Sequence, residues 1–168
     1  MPLTSTGFGT KAGFVLSPEE PIVLHATTVM DAKLAARRLN AVGFLGLAGY
    51  LEEPPTPARL RPVELDELER LLADGVVEVI DVREANERDT GYIPGSRHMP
   101  YHLVRSLSAD MSGERPLVTI CESGSRAGIA ASIFAASGIE ARPVLAGGIP
   151  GWQARGNSTI QFRRCGAA

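Results

Sequence analysis

The stretch Cys121-Glu122-Ser123-Gly124-Ser125-Arg126 sets a thiol, a glycine and an arginine close together, directly after the apolar run Leu117-Val118-Thr119-Ile120. A cysteine attacks as its thiolate, so the first question is what would hold a negative sulfur here. The apolar run predicts a buried strand, and Arg126 to Ala136 predicts a helix closed by Gly138. The loop between them therefore lies over a helix N-terminus, whose unpaired N–H groups and dipole stabilise a thiolate and lower the thiol pKa. Gly124 opens backbone angles closed to other residues, so the loop can curl round the sulfur and turn its N–H groups into an anion nest. A structural cysteine packed as a small apolar group is the plainer reading, but a strand end before a glycine turn is a poor place for one.

Arg126 is the odd member of the group. A cation in the first turn of a helix opposes the dipole, so the residue is expected to face an anion, either a substrate or the thiolate. The alternative is a surface arginine paired with a nearby acid. The expected roles are thus Cys121 as nucleophile, with Glu122, Ser123, Gly124, Ser125 and Arg126 binding substrate.

The elements that must position this loop read as alternating strands and helices. Val63 to Ala73 is an amphipathic helix with Leu65, Leu68, Leu71 and Leu72 inward. Val76 to Ile80 is a β-prone strand running into Asp81-Val82-Arg83. A polar loop is expected from there to Gly91-Tyr92-Ile93-Pro94-Gly95, then a short helix over 101–108. Arg142 to Leu145 is a last strand, followed by Gly147-Gly148, a helix near Trp152 and a frayed tail, 157–168. Upstream, residues 1–20 read as an irregular lead-in, Pro21 to His25 as a strand, and Val29 to Ala41 as a helix capped by Thr28 with Leu34 and Leu39 inward. Phe44 to Tyr50 is a second strand, and Glu52 to Pro57 is a proline-rich linker. The alternation implies an α/β layer fold with a mainly parallel sheet.

The chain also matches itself. A shift of 95 residues lays Pro21–Ala26 over Pro116–Cys121, Ala35-Ala36 over Ala130-Ala131, and Gly43 over Gly138, with no gap from Pro21 to Glu53. Two apolar βαβ units share a pattern for physical reasons alone, yet the ungapped length and the common stop favour duplication. The first copy carries Ala26 in place of Cys121 and Asp31 in place of Arg126, a half-unit without chemistry. Such a half-unit needs cover for its sheet.

Four motifs recur in order: Val79-Ile80-Asp81-Val82-Arg83-Glu84, Gly91-Tyr92-Ile93-Pro94-Gly95-Ser96, Cys121-x-x-Gly124-x-Arg126, and Gly147-Gly148 followed by Trp152. With these motifs, residues 62–156 resemble the rhodanese family of sulfurtransferases. The resemblance implies a three-layer α/β/α sandwich with a mainly parallel five-stranded sheet, preceded here by the extra βαβ half-unit. It divides the chain into 1–57, 58–156 and 157–168. It implies that sulfane sulfur passes from thiosulfate or a persulfide to a thiol or cyanide through a Cys121 persulfide, with no cofactor and no metal. Asp81 and Arg83 would be structural. Two departures stand out: Tyr92 occupies a place where the family often has histidine, and Glu122 follows the cysteine where thiosulfate users often have a basic residue. A carboxylate there repels a dianion and disfavours the thiolate, which points to a persulfide, small or protein-bound, as donor. The half-unit resembles inactive rhodanese units fused to metallo-β-lactamase-fold persulfide dioxygenases, which implies such a dioxygenase as a partner.

Bulk properties narrow the remaining classes. A net charge of −2 and a pI near 5.9 give no basic excess for nucleic acid or an anionic membrane. No apolar run is long enough for a membrane helix, and no secretory signal is read at Met1 to Thr10. Two cysteines do not make a disulfide scaffold, so a cytoplasmic protein with reduced thiols is expected, and an orphan half-unit makes a homodimer plausible. His25, His98 and His102 form no ligand-spaced cluster. Cys165 is expected to be a tail thiol, with resolution of a Cys121 persulfide as its other reading. Trp152 is expected to be a core lid. A cysteine phosphatase would carry its arginine one place later, where this chain has Ala127. A non-catalytic binding module of the same fold is the rival from another class.

Overall fold

Two strands separated by a helix recur twice in the computed structural model, which describes residues 7–53, 59–111 and 114–162. The chain divides into two compact units, Met1–Arg59 and Leu60–Ala168. The proline-rich stretch 54–58 lies outside the described residues, as does Cys165.

The first unit opens with helix α1 (Phe8–Val15), where the sequence reads as irregular. Its glycines and missing cap hide it from propensity, but Phe8, Ala12 and Val15 recur at helical spacing and are buried. Gly9 lets α1 come close to helix α2 (Val29–Asn40), since a Cβ there would lie 3.2 Å from Arg38 O. Strands β1 (Ile22–His25) and β2 (Leu47–Leu51) flank α2 in the chain and pair in parallel. The core is Phe8, Ala12, Ala35, Leu39 and Phe44. Leu34, expected inside, is exposed, and Ala32 and Ala35 take the inward positions with Leu39.

The second unit is built on β3 (Glu78–Asp81) and β5 (Leu117–Ile120), paired residue for residue from Glu78↔Leu117 to Asp81↔Ile120. Short strands β4 (Arg97–His98) and β6 (Ala141–Pro143) complete a parallel sheet of order β4-β3-β5-β6. Side chains alternate across the sheet. Val79, Val118 and Ile120 meet Val63, Leu68, Ile149 and Trp152, so helices α3 (Leu65–Ala73) and α7 (Gly148–Ala154) cover one face. On the other, Thr119 donates to Ala127 O at 2.9 Å, which places helix α6 (Ser125–Ala136) against β5. Two short helices, α4 (Ala85–Asp89) and α5 (Val104–Leu107), precede it in the chain. The expected three-layer α/β/α sandwich with a parallel sheet is what forms.

Among the described residues the sheet has four strands rather than the expected five. Residues 61–63 run beside β6, and Val63 N donates to Pro143 O at 2.9 Å. Val144 N donates to Thr119 O at 2.9 Å, so the N of Pro143 faces this segment and has no N–H to extend that ladder, and the Arg142 side chain takes up the carbonyls of Arg61 and Pro62 at 3.2 and 3.0 Å. The segment after Trp152 is tied down rather than frayed through 160. Ile160 exchanges backbone bonds of 3.0 and 2.9 Å with Tyr92, and Trp152 Nε1 donates to Ser158 O at 3.1 Å.

The internal match is structural. Shifted by the same interval, β1 falls on β5, α2 on α6, and the buried Ala32, Ala35 and Leu39 on the buried Ala127, Ala130 and Phe134. Both copies leave their helix identically: Phe44 N bonds Leu39 O at 3.1 Å, and Ile139 N bonds Phe134 O at 3.0 Å.

Candidate active site

The motif around Asp81 forms a buried ionic knot at the carboxyl end of β3. Arg83 is 1% exposed. Its Nε and Nη2 grip the two oxygens of Asp81 at 3.0 and 2.8 Å. Its remaining donors reach Glu87 O at 3.2 Å and Gly91 O at 2.6 Å, so one guanidinium spans the segment holding α4. Arg88 approaches Asp81 from the other side at 3.4 Å, bonds Ser96 Oγ and O at 3.1 and 2.8 Å, and lies 3.8 Å over the Tyr92 ring. The Asp81 and Gly91 motifs are thus two halves of one structure. A buried charge needs partners, and here two cations share one carboxylate.

Strand β5 runs beside β3 and delivers Cys121 next to this knot. Val82 N donates to Ile120 O at 2.9 Å. Cys121 is 1% exposed, and Gly124 N donates to its sulfur at 3.1 Å. Gly124 holds φ +92°, and a Cβ on it would lie 2.1 Å from Leu145 O, so only glycine fits. Gly148 does the same from the other side. Its φ is +51°, and a Cβ would fall 2.3 Å from Cys121 O and 2.2 Å from Glu122 O. Ile149 N then donates to Cys121 O at 3.1 Å. The Gly147-Gly148 motif is therefore the back wall of the cysteine loop. The first βαβ unit is built differently here: Ala26 stands at the position of Cys121, and the entry to α2 is closed by Thr28, which accepts from Asp31 N at 3.1 Å.

Arg126 points at an acid. Its Nη1 and Nη2 meet Glu87 Oε2 and Oε1, each at 2.5 Å. The pair is partly buried, with the arginine side chain 17% and the glutamate 31% exposed. The hydrogen bonds from Arg126 hold the Glu87 carboxyl below the usual carboxylate range. The Arg126 pKa is raised, first by the bond to Glu87, with the charges of Cys121 and Tyr101 adding in the same direction. Of the two partners weighed from sequence, the guanidinium has taken the nearby acid, and it does so half-buried beside the cysteine loop rather than on the open surface.

The family model of the rhodanese-like domain matches residues 64–155, more than half of the chain. This chain belongs to the rhodanese-like domain family. The thiosulfate sulfurtransferase GlpE of Pseudomonas aeruginosa is 32% identical over 84 residues, which are 50% of this chain and 76% of that protein. The human single-domain sulfurtransferase TSTD1 matches in structure at 29% identity and a TM-score of 0.50, over 56% of this chain and 96% of that one. A rhodanese-related protein from Thermoplasma volcanium shares the fold at 24% identity and a TM-score of 0.56, over 61% of this chain and 99% of that one.

Within this rhodanese-like domain the site residues sit in two layers. Cys121 and Gly124 are buried, Ser125 and Arg126 are half-buried, and Glu122 and Ser123 are exposed. The Glu122 carboxylate lies 3.8 Å from Arg83 Nη1. Sequence reading passed over Glu87, because α4 is too short to show periodicity and its polar residues read as loop. A signal was present in the spacing of Glu84 and Glu87: the Glu87 side chain accepts from Glu84 N at 3.0 Å, closing the N-terminus of α4. His102 Nδ1 lies 2.9 Å from Glu84 Oε1, and His98 Nε2 donates to Arg83 O at 2.9 Å. Among the described residues no His, Cys, Asp or Glu group is placed to hold a metal ion, and no helix is long and apolar enough to cross a membrane.

Proposed function

We propose that the protein is a sulfurtransferase in which Cys121 carries sulfane sulfur as a persulfide. The observation that carries this reading is the sulfur of Cys121 at the end of β5, accepting the Gly124 N–H at 3.1 Å where the loop enters α6. That donor and the helix N-terminus offer hydrogen-bonding partners to the sulfur of a Cys121 persulfide. The thiolate attacks the outer sulfur of the donor. From a persulfide it forms the Cys121 persulfide and releases the donor thiolate; from thiosulfate it releases sulfite. A thiol or cyanide then takes the outer sulfur, leaving as a new persulfide or thiocyanate and returning the Cys121 thiolate. Electron pairs move only between sulfur and its partners, so no redox cofactor enters the cycle. Ser123 and Ser125 flank the donor, and Glu122 at the mouth disfavours a dianion. Such chemistry suits the reducing cytoplasm, where free thiols persist.

Intact mass after incubation with thiosulfate, and separately with glutathione persulfide, tests this reading. Gain of one sulfur, lost on a cyanide chase and absent in Cys121→Ser, is the expected result. A second reading rests on the burial of Cys121: a rhodanese-fold module that binds partners and transfers nothing. Absence of any gain, with Cys121 inert to iodoacetamide, would establish that module instead.

A further inference from the structure

We propose that Glu87 is the specificity-determining positioning residue of this site. It holds and neutralises Arg126, so that the cysteine loop discriminates against dianionic thiosulfate in favour of a persulfide donor. The proposal rests on the sulfurtransferase reading above, but concerns a residue that does not touch the sulfur.

Three observations carry it. Both terminal nitrogens of Arg126 are occupied by the two Glu87 oxygens at 2.5 Å. A dianionic donor seeking that cation must compete with a carboxylate fixed from its own side, since Glu87 Oε2 also accepts from Glu84 N at 3.0 Å. Arg83 is spent on Asp81, which Arg88 also approaches at 3.4 Å, and has Glu122 at 3.8 Å. The charges around the loop therefore balance: Arg126 against Glu87, and Arg83 and Arg88 together against Asp81 and the exposed Glu122. Thiosulfate needs net positive charge twice, to enter as a dianion and to leave as sulfite. The reacting sulfur group of a persulfide enters and leaves with no more than one negative charge, and the loop N–H groups suffice for that.

The test compares kcat/KM for thiosulfate and for glutathione persulfide, with cyanide as acceptor, in the parent, Glu87→Gln and the double variant Glu87→Gln/Arg126→Gln. Glu87→Gln leaves Arg126 uncompensated and is expected to raise the thiosulfate-to-persulfide ratio about tenfold, mostly through a lower thiosulfate KM. The double variant restores neutrality and returns the ratio to the parent value. An unchanged ratio in folded Glu87→Gln, or a ratio that stays high in the double variant, overturns the proposal. If Glu87→Gln does not fold, the parent chain decides the matter through alkylation of Cys121, followed on its own peptide. Iodoacetate and iodoacetamide should react in the same rate ratio as with free cysteine, because no net cation attracts the anionic reagent. A tenfold preference for iodoacetate would overturn the proposal. This measurement needs no sulfur transfer, so failure of both donors to load Cys121 sinks the sulfurtransferase reading and leaves the charge argument separately decided.

Discussion

Glu87 and Arg126, 39 residues apart in the chain, meet edge to edge through two contacts of 2.5 Å, and the same carboxylate closes the N-terminus of α4. One side chain thus ties the helix after β3 to the first turn of the helix after β5. The cation that opposes the dipole of α6 is offset by an acid from the neighbouring element, a cross-chain relation invisible within the cysteine motif.

This pair should leave a signature in acid. The Glu87 carboxyl sits below the ordinary 4.5, held down first by the Arg126 bonds and further by the Glu84 N–H and the charge of Arg83. A depressed carboxylate contributes stability that is complete above its unfolded value and is lost as pH falls through the folded one. Thermal unfolding of the parent should be flat near neutrality and fall below about pH 4.5. A partly exposed pair is worth about 1 kcal/mol. Glu87→Gln should therefore lower the neutral Tm by about 4 °C and flatten the acid limb. Parallel acid limbs in the two proteins would mean the pair contributes nothing.

The Asp81–Arg83 knot should act on stability rather than on chemistry. Arg83→Met leaves the fully buried Asp81 with Arg88 at 3.4 Å as its remaining cation, beside the backbone N–H of residue 83 at 3.1 Å. Breaking a buried pair from one side costs about 3–5 kcal/mol, measurable as a shift of the urea midpoint. The fraction of folded molecules that load sulfur should stay at the parent value. A variant of parent stability that cannot be loaded would place Arg83 in the chemistry.

Gly124→Ala should remove the site by steric means alone. The new Cβ would fall 2.1 Å from Leu145 O, and φ at this position is +92°. The left-handed backbone costs about 1–2 kcal/mol and the forced shift about 1–3 more. We expect a lower urea midpoint together with loss of sulfur loading, because the N–H that points at Cys121 must move with the loop. Full loading in this variant would show that the Gly124 N–H is dispensable.

Much of this was written in side-chain type and spacing. The match of the two βαβ units is visible because Ala32, Ala35 and Leu39 do in α2 what Ala127, Ala130 and Phe134 do in α6. The cysteine loop is visible because strand, glycine and helix each leave a local trace. What stayed hidden is tertiary in origin. Helix α1 is held by burial of Phe8, Ala12 and Val15 and not by propensity. Among the described residues a fifth strand does not form beside β6, because Pro143 lacks a donor there and Arg142 takes up the carbonyls of Arg61 and Pro62. The partner of Arg126 lies in a five-residue helix on the neighbouring strand's loop, and no pattern near Cys121 could name it.

Glu122 offers a direct handle on donor choice. Its side chain is half exposed, its carboxylate has Arg83 at 3.8 Å, and Arg83 already has Asp81. Replacing it should therefore cost little stability, within about 1 kcal/mol. Glu122→Arg exchanges a negative charge at the mouth for a positive one, which stabilises an incoming dianion and a departing sulfite alike. The thiosulfate KM should fall by about tenfold or more, while the persulfide KM changes far less. Raising the ionic strength should weaken the gain, since exposed charges are screened. An unchanged thiosulfate KM would mean that the carboxylate turns away from the donor, and discrimination would then fall to Glu87 and Arg126 alone.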